Sequence, residues 1–481
     1  MTTRRITGFV PVVSGLGLAA ALLAAGCSSE DFNILNTNDP TVEQLTQTPT
    51  RATLARAALG SAAALYNDVG FATDLYSIFG REGWDLQGLN PLFTTEMLAG
   101  PLTPGGFGGL LWTSQYVALR AVNTYLSAID KASDLSSAEK AASLGYAQTL
   151  KALLFHRLIV RTGALGIPLA VDVPVDAPPA PFVSQQNVYA ALVALLDEAR
   201  TNLAAGGAAF PFNMPPGYTG FGTPATFVRF NRALYAKIQI HRATLAACGL
   251  SCYQQALTAL NDSFISTTGL PGSLSTGVYL GYSTAAGEPA NPLSEPLSAQ
   301  RLWVHPSLQT GVELKLSGQP DDRFATKVRP AGPRTVNSLT GTLKPVIYNV
   351  PGTFEADLGA DIPLLKNEEL ILLRAEARWF TGDKTGAIAD IDLIRTSSGG
   401  LPPSSLTAAS SDAAFITQLL YNRLYSLLWE QGTRWVDARR FGRLNTLPID
   451  RPGDQTFPNF LVPAPECDAR GLTAPCQPPT S

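Results

Sequence analysis

Apolar residues recur along most of this chain at spacings of three and four positions, the spacing that places them on one face of an α-helix. The pattern predicts helices over residues 41–65, 110–131, 136–161, 186–205, 226–247, 253–264, 363–380, 384–396 and 412–435. No comparable block alternates apolar and polar residues as a half-buried strand does. The chain is therefore predicted to be all-α.

The way these helices are connected refines the prediction. Long segments rich in proline and glycine lie at 100–109, 163–181, 206–224, 270–306 and 450–481. Other helices are joined by tight turns: Gly382 and Asp383 divide RAEARWFTGDKTGAIADIDLIR into two amphipathic runs, and a second pair turns at Gly249. Small residues that would let the first pair pack closely stand at Ala375, Ala377, Ala387 and Ala389. The pattern predicts a tetratricopeptide-like scaffold of helical pairs with long irregular loops.

The amino terminus has the pattern of an export signal. Residues 1–26 contain two early arginines and an apolar run that ends in LLAAGC, with the cysteine at Cys27. The run is short and contains glycines, so a membrane-spanning helix is disfavoured. The closing motif resembles a bacterial lipobox. We therefore expect cleavage before Cys27, lipid on that cysteine, a polar tether over 27–40 and one folded domain over 41–481.

Composition and charge exclude several classes of protein. The 481 residues are 45% hydrophobic and 15% charged, with a formal net charge of −3. A nucleic-acid-binding protein would normally carry a basic excess, so nucleic acid is not an expected partner. The histidines, His156, His241 and His305, are too few for a dense metal site, and there is no Cys-x-x-Cys pair. No metal and no cofactor is predicted.

Apart from Cys27, the cysteines form two close pairs in sequence, Cys248 with Cys252 and Cys467 with Cys476. An even number of cysteines in an exported chain suggests local disulfide bonds. The separation of four residues in the first pair leaves its geometry open.

Motifs that carry enzyme chemistry are missing from the sequence. There is no G-x-S-x-G elbow, no phosphate-binding Walker loop and no H-E-x-x-H. Gly220, Gly222 and Ala225 fit G-x-G-x-x-A, but Pro224 interrupts the motif and no strand is predicted before it. His156 lies in an apolar helix, where a packing role is the simpler interpretation. Enzymatic activity is not expected.

The carboxyl-terminal third resembles a known family. The run IPLLKNEELILLRAEARWFTGDKTGAIADIDLIRTSSG and the later LLYNRLYSLLWEQGTRWVDARRFGRL are similar to segments of SusD/RagB outer-membrane lipoproteins. NTNDPT, LWTSQYVALRAVNTYLSAID, DDRF and FLVPAPE extend the resemblance over most of the chain. Departures are Leu373 and Arg374 before AEA, and the cysteines of the tail. The resemblance implies a SusD-like fold that binds a nutrient at the cell surface and a SusC-like TonB-dependent outer-membrane transporter as partner.

The family implies a shallow site in which aromatic rings stack on sugars while polar side chains reach hydroxyl groups. Two loop regions could supply it, FGREGWDLQGLN and the stretch from GVYLGYSTAAGEP to RLWVHP. The candidate ligand-binding residues are Arg81, Trp84, Asp85, Gln87, Asn90, Tyr279, Tyr282 and Trp303. Trp84 and Tyr282 are favoured. The alternative is that these aromatic side chains only pin the loops to the scaffold.

Other prominent residues are assigned to structure. Arg434, Asp437, Arg439 and Arg440 of GTRWVDARRFG can form charge-assisted hydrogen bonds, so we interpret this stretch as ion-pair scaffolding. Trp112, Tyr116, Tyr125 and Trp379 are interpreted as packing residues.

The leading hypothesis is an outer-membrane lipoprotein that is not an enzyme and delivers an oligosaccharide or another nutrient to its transporter. A helical adaptor of envelope assembly, binding protein partners in its grooves, is the alternative. A glycan hydrolase is a third hypothesis and would need two carboxylates facing one groove.

Overall fold

The computed structural model describes residues 42–174, 176–245 and 247–480. The predicted signal peptide, Cys27 and the tether lie outside the described residues. About 49% of the chain is helical, and the predicted helical fold class is confirmed. The α-helices are α1 Val42–Gln47, α2 Arg51–Ala63, α3 Val69–Phe79, α4 Thr113–Ile129, α5 Ser137–Thr162, α6 Gln185–Ala204, α7 Pro224–Ala243, α8 Gly249–Asn261, α9 Pro306–Thr310, α10 Asp322–Lys327, α11 Asn367–Phe380, α12 Lys384–Ser397, α13 Asp412–Ser426, α14 Thr433–Arg440 and α15 Ala464–Ala469.

Consecutive long helices pack against one another and bury a common core. Contacts join α4 to α5, α5 to α6, α6 to α7 and α7 to α8. Helix α11 packs against both α8 and α12, which adds the α11–α12 pair to the series. Helices α5 and α6 approach closely at Gly145, where an added Cβ would lie 2.6 Å from Leu203 Cγ. In the α11–α12 pair, Ala375, Ala377 and Ala387 are fully buried as predicted, whereas Ala389 faces solvent.

The long loops contain short strands that the sequence pattern did not predict. The strands are β1 Gly83–Asp85, β2 Ile167–Pro168, β3 Phe182–Val183, β4 Gly277–Leu280, β5 Leu302–Val304, β6 Val328–Val336, β7 Leu339–Pro345 and β8 Ile362–Lys366. They form antiparallel pairs, β1 with β5, β2 with β3, β4 with β8 and β6 with β7. The hairpin β6–β7 turns at Asn337 and Ser338, which both have positive φ, as a two-residue type I′ turn requires.

Three predicted helices are either interrupted or begin as a strand. The segment 41–65 is interrupted near Pro49, which has no N–H to donate, and Thr50 caps the next helix. Residues 363–366, the start of the predicted helix 363–380, belong to strand β8, which pairs with β4.

The third, 412–435, stops at Ser426 and resumes at Thr433. Between them Trp429, Gln431 and Gly432 have positive φ. A side chain at Gly432 would collide with Tyr76, since an added Cβ would lie 2.3 Å from the Tyr76 Cβ. A tertiary contact with α3, a helix that was not predicted, thus fixes the break.

Candidate functional site

The two loop regions singled out in the sequence meet in the structure. Strand β1 comes from the first region and β5 from the second, and their register places Trp84 opposite Trp303 and Asp85 opposite Leu302. Tyr279 lies elsewhere, in strand β4, and Tyr282 follows that strand. The fold therefore brings the first region together with one end of the second.

Trp84 and Arg81 surround a carboxylate that the sequence did not single out, Asp450. The Trp84 indole Nε1 donates to Asp450 Oδ2 at 3.1 Å, His305 Nε2 lies 2.7 Å from Oδ1, and the Arg81 guanidinium is 3.6 Å away. Burial alone would raise the pKa of the Asp450 carboxyl, but His305 and Arg81 hold it below its usual range. This cluster fixes β1 to the carboxyl-terminal segment.

Most of the predicted aromatic contacts are buried. Trp84, Trp303 and Tyr282 are 4%, 3% and 8% exposed, and Tyr279 is partly exposed. A ring that stacks on a sugar needs an open face, so this burial agrees with the alternative that the aromatic residues pin the loops. Their contact with a ligand stays a prediction.

The predicted polar residues divide into buried and exposed groups. Arg81 is fully buried, and Asp85, which accepts a hydrogen bond from Gln87 N at 2.8 Å, is 2% exposed. Gln87 and Asn90 are exposed, and Asn90 caps a short 3₁₀ turn by accepting from Leu92 N at 3.0 Å.

A groove of about 700 Å³ lies between the β1–β5 pair and the hairpin β6–β7, and we call it the hairpin groove. The hairpin packs onto the strand pair at Gly341, where an added Cβ would lie 2.6 Å from the Trp303 ring. Polar and aromatic residues that line the groove are Gln87, Gln300, Arg301, Trp303, Arg334 and Lys344.

The cations of the groove differ in their partners. The Arg301 guanidinium lies 2.7 Å from the Asp74 carboxyl group and 3.3 Å from that of Glu295. Arg334 is exposed and donates to the carbonyl oxygens of Leu86 and Gln87. 

The Lys344 ammonium lies 4.7 Å above the Trp303 ring and donates to Leu297 O at 2.7 Å. Burial lowers the pKa of Lys344. Arg334 and Lys344 were missed because no strand was predicted for the hairpin; the available signal was Asn337-Ser338 between Val336 and Leu339.

The histidines of the helical core lie together but carry no sign of a metal site. His156 Nε2 and His241 Nδ1 are 3.1 Å apart, and burial lowers the pKa of both rings, that of His156 to about 3. Among the described residues no group of three or more His, Cys, Asp or Glu side chains could hold a metal ion.

Two of the four charged residues predicted to form ion pairs in GTRWVDARRFG, Asp437 and Arg440, do form buried ion pairs. Arg440 contacts Glu376 at 2.9 and 3.0 Å and Asp437 at 2.8 Å, and Asp437 also pairs with Arg423 at 2.5 Å. Arg434 and Arg439 instead donate to backbone carbonyl oxygens.

The structure joins Cys248 to Cys252 and Cys467 to Cys476 in disulfide bonds. Across the part of the chain that the structure describes, no helix has both the length and the hydropathy to cross a membrane.

The helical pairs with their long strand-bearing loops define a SusD-like fold, and the resemblance found in the sequence is confirmed at this level. The sequence matches no protein-family model and no curated protein. 

Solved structures supply the comparison. A SusD superfamily protein from Bacteroides vulgatus superposes with a TM-score of 0.65 at 14% identity, covering 87% of this chain and 97% of that one. A SusD homolog from Bacteroides thetaiotaomicron gives 0.65 at 15% identity, with 89% and 97% covered. Surface glycan-binding protein A of the same organism, solved with laminarihexaose, gives 0.64 at 15% identity, with 88% and 97% covered.

Proposed function

We propose that this protein binds an oligosaccharide in the hairpin groove and delivers it to a TonB-dependent transporter in the outer membrane. The protein is held there by lipid on Cys27 and catalyses no reaction. The observation that carries the proposal is the groove itself, at the one place where both loop regions identified from the sequence meet. A neighbour with the same fold was solved with laminarihexaose, which supports a glycan as ligand.

The chemistry of the groove suits a hydroxyl-rich ligand. Gln87 and Arg334 are exposed donors at its rim, and Gln300 has a buried side-chain oxygen with no hydrogen-bond partner among the described residues. Sugar hydroxyl groups both donate and accept, so they can satisfy such groups together. The partly exposed Leu297 and Ala331 supply an apolar edge that suits the C–H faces of a sugar ring.

The residues predicted from the sequence receive different roles in this proposal. Trp303 lines the floor of the groove but is 3% exposed, so it shapes the groove and does not stack on the ligand. Arg81, Trp84 and Asp85 hold β1 in place. Asn90 lies just beyond Gln87 at the rim.

Tyr279 and Tyr282 belong to a separate region. Tyr279 lines a second cavity, of about 470 Å³, beside Lys366 and Glu430. A secondary ligand contact is proposed at Tyr279, whereas the buried Tyr282 packs edge-on against Tyr66 with ring centroids 5.2 Å apart.

Binding is tested by a glycan array followed by calorimetry on protein lacking residues 1–27. We expect Arg334→Ala to weaken binding of the selected glycan about tenfold, the loss of one charge-assisted hydrogen bond. Arg329→Ala is the matched control, since Arg329 lies on the same hairpin but outside the lining of the groove. Equal affinities of the two variants would exclude the groove as the binding site.

Delivery and anchoring need a separate test. Affinity purification of the full-length protein from its native envelope should recover a TonB-dependent transporter, and Cys27→Ser should abolish incorporation of labelled palmitate. The adaptor hypothesis predicts instead that protease added to intact cells leaves the protein uncut and that no glycan binds.

A further inference from the structure

A third cavity, of about 210 Å³, lies between helices α13 and α14 and the segment after α14. Three arginines line it, Arg423, Arg434 and Arg443, and we call it the arginine cavity. It reaches the surface near Thr417 and Thr446, which are exposed. None of these residues lines the hairpin groove.

Two of the three guanidinium groups form no salt bridge with any carboxylate in the part of the chain that the structure describes. Arg434 donates to Arg81 O at 2.6 Å, and Arg443 donates to Thr417 Oγ1 at 2.8 Å and Ala413 O at 2.9 Å. Within the described ranges, neither arginine has a carboxylate oxygen within 4.0 Å. Burial lowers the pKa of the Arg434 guanidinium, and the charge of Glu82 opposes this shift.

The third arginine has a donor to spare. The Arg423 side chain is 2% exposed and donates through Nε to Asp437 at 2.5 Å. Its Nη1 is buried and has no hydrogen-bond partner among the described residues. Leaving a charged donor unpaired in the interior is expensive, so an acceptor at this position would be favoured.

The acidic groups at the cavity do not balance this charge. Asp437 is the one carboxylate in the described lining, and it is already shared between Arg423 and Arg440. The lining of the cavity therefore carries three guanidinium groups against one carboxylate, which is a surplus of positive charge. Guanidinium groups match the oxygen spacing of tetrahedral oxyanions.

We propose that the arginine cavity binds a phosphate or sulfate group. The group is either a free ion or a monoester carried by a larger ligand, and binding there is independent of the hairpin groove. Arg423, Arg434 and Arg443 supply the donors.

Calorimetry on the full-length protein in detergent tests this, with sodium sulfate and sodium phosphate as titrants at constant ionic strength. We expect binding of both ions, and an affinity at least about tenfold lower in Arg443→Gln. Arg120→Gln is the control, because Arg120 lies outside the lining of the arginine cavity and donates to backbone carbonyl oxygens at 2.9 and 3.3 Å. Glucose 6-phosphate added in a parallel titration distinguishes a monoester ligand, which would bind more tightly than free phosphate.

Crystals of the unaltered protein soaked in selenate give a second readout that does not depend on the folding of a variant. An anomalous peak among the three arginines is expected. Selenate absent from the cavity, or equal sulfate affinity in Arg443→Gln and Arg120→Gln, would overturn the proposal.

Discussion

Replacing Glu82 with glutamine should stabilise this protein at alkaline pH and leave it unchanged in acid. The Glu82 side chain is 1% exposed, beside strand β1. Its Oε2 accepts a hydrogen bond from Trp429 N at 2.8 Å, whereas its buried Oε1 has no hydrogen-bond partner among the described residues. Burial raises the pKa of Glu82 to about 7, against the hydrogen bond from Trp429, which lowers it.

The size of the effect follows from linkage. Between the unfolded value of 4.5 and the folded value of about 7, the native state binds the proton more tightly, so stability falls as pH rises through this interval. The total loss is about 3 kcal/mol. Glutamine mimics the neutral acid and its oxygen can still accept from Trp429. The variant should therefore exceed the wild type by up to about 3 kcal/mol at pH 8 and match it near pH 4.

Urea unfolding followed by circular dichroism from pH 4 to pH 8 measures this difference. Glu368→Gln is a matched contrast, because Glu368 is also buried but lies 3.3 Å from the Lys366 ammonium. Burial would raise the pKa of Glu368, yet Lys366 and Lys327 hold it at about 2. Its stabilisation is present above pH 4.5 and is lost as pH falls toward 2, so this variant should be the less stable one at pH 8.

The reasoning is refuted if Glu82→Gln is destabilised at every pH, or if its difference from the wild type does not change between pH 4 and pH 8. Either result would mean that interactions in the native protein offset the desolvation cost of the ionised Glu82 carboxylate.

Further predictions concern the packing of the scaffold. Glu376→Leu should lower the free energy of unfolding, measured in urea, by about 3–5 kcal/mol, because the buried Arg440 guanidinium loses its carboxylate partner Glu376. A loss below about 1 kcal/mol would contradict this. Gly83→Ala should cost about 1–3 kcal/mol or more, since its Cβ would lie 2.4 Å from a backbone oxygen, and an unchanged midpoint would show that the strand pair can shift. Reducing the Cys467–Cys476 bond should lower stability by about 3 kcal/mol, measured with and without a phosphine reductant after intact-mass analysis verifies the bond; no change on reduction would show that the tail is held by other contacts.

Much of the helical framework could be predicted because its determinants are local. Helix α5, Ser137–Thr162, was expected at 136–161, and α12, Lys384–Ser397, at 384–396. In each, amphipathic spacing and a capping residue, Ser136 and Asp383, agree with the tertiary contacts.

Prediction failed where a distant contact overrides local preference. The long run 412–435 has a helical pattern throughout. The helix is nevertheless interrupted, because Tyr76 packs against Gly432 and the Glu82 carboxylate accepts a hydrogen bond from Trp429 N. The sequence of strand β8 fits the start of a helix, but pairing with β4 makes it a strand. Strands β1, β2 and β3 have too few residues for a period to be recognised. Strand β6, VRPAGPRTV, is longer, but its prolines and arginines interrupt any alternation of apolar and polar residues.

The candidate site shows the same division. Loop aromatic residues could be selected by type and by their glycine-rich surroundings, yet exposure cannot be read from residue type. Trp84 is buried and donates a hydrogen bond to Asp450, a residue 366 positions away in the sequence. Arg334 and Lys344 enter the groove only because the hairpin folds back over Trp303.

The helical class, the paired-helix scaffold and the resemblance to SusD/RagB proteins could be predicted from the sequence, because periodicity, turn residues and motifs each occupy a short stretch of chain. Three other properties emerge only in the folded molecule: which loop residues are open to solvent, the pairing of β1 with β5, and the cavity lined by three arginines. Those properties depend on contacts between segments far apart in sequence, whose relative placement is fixed by the packed core and not by any local pattern.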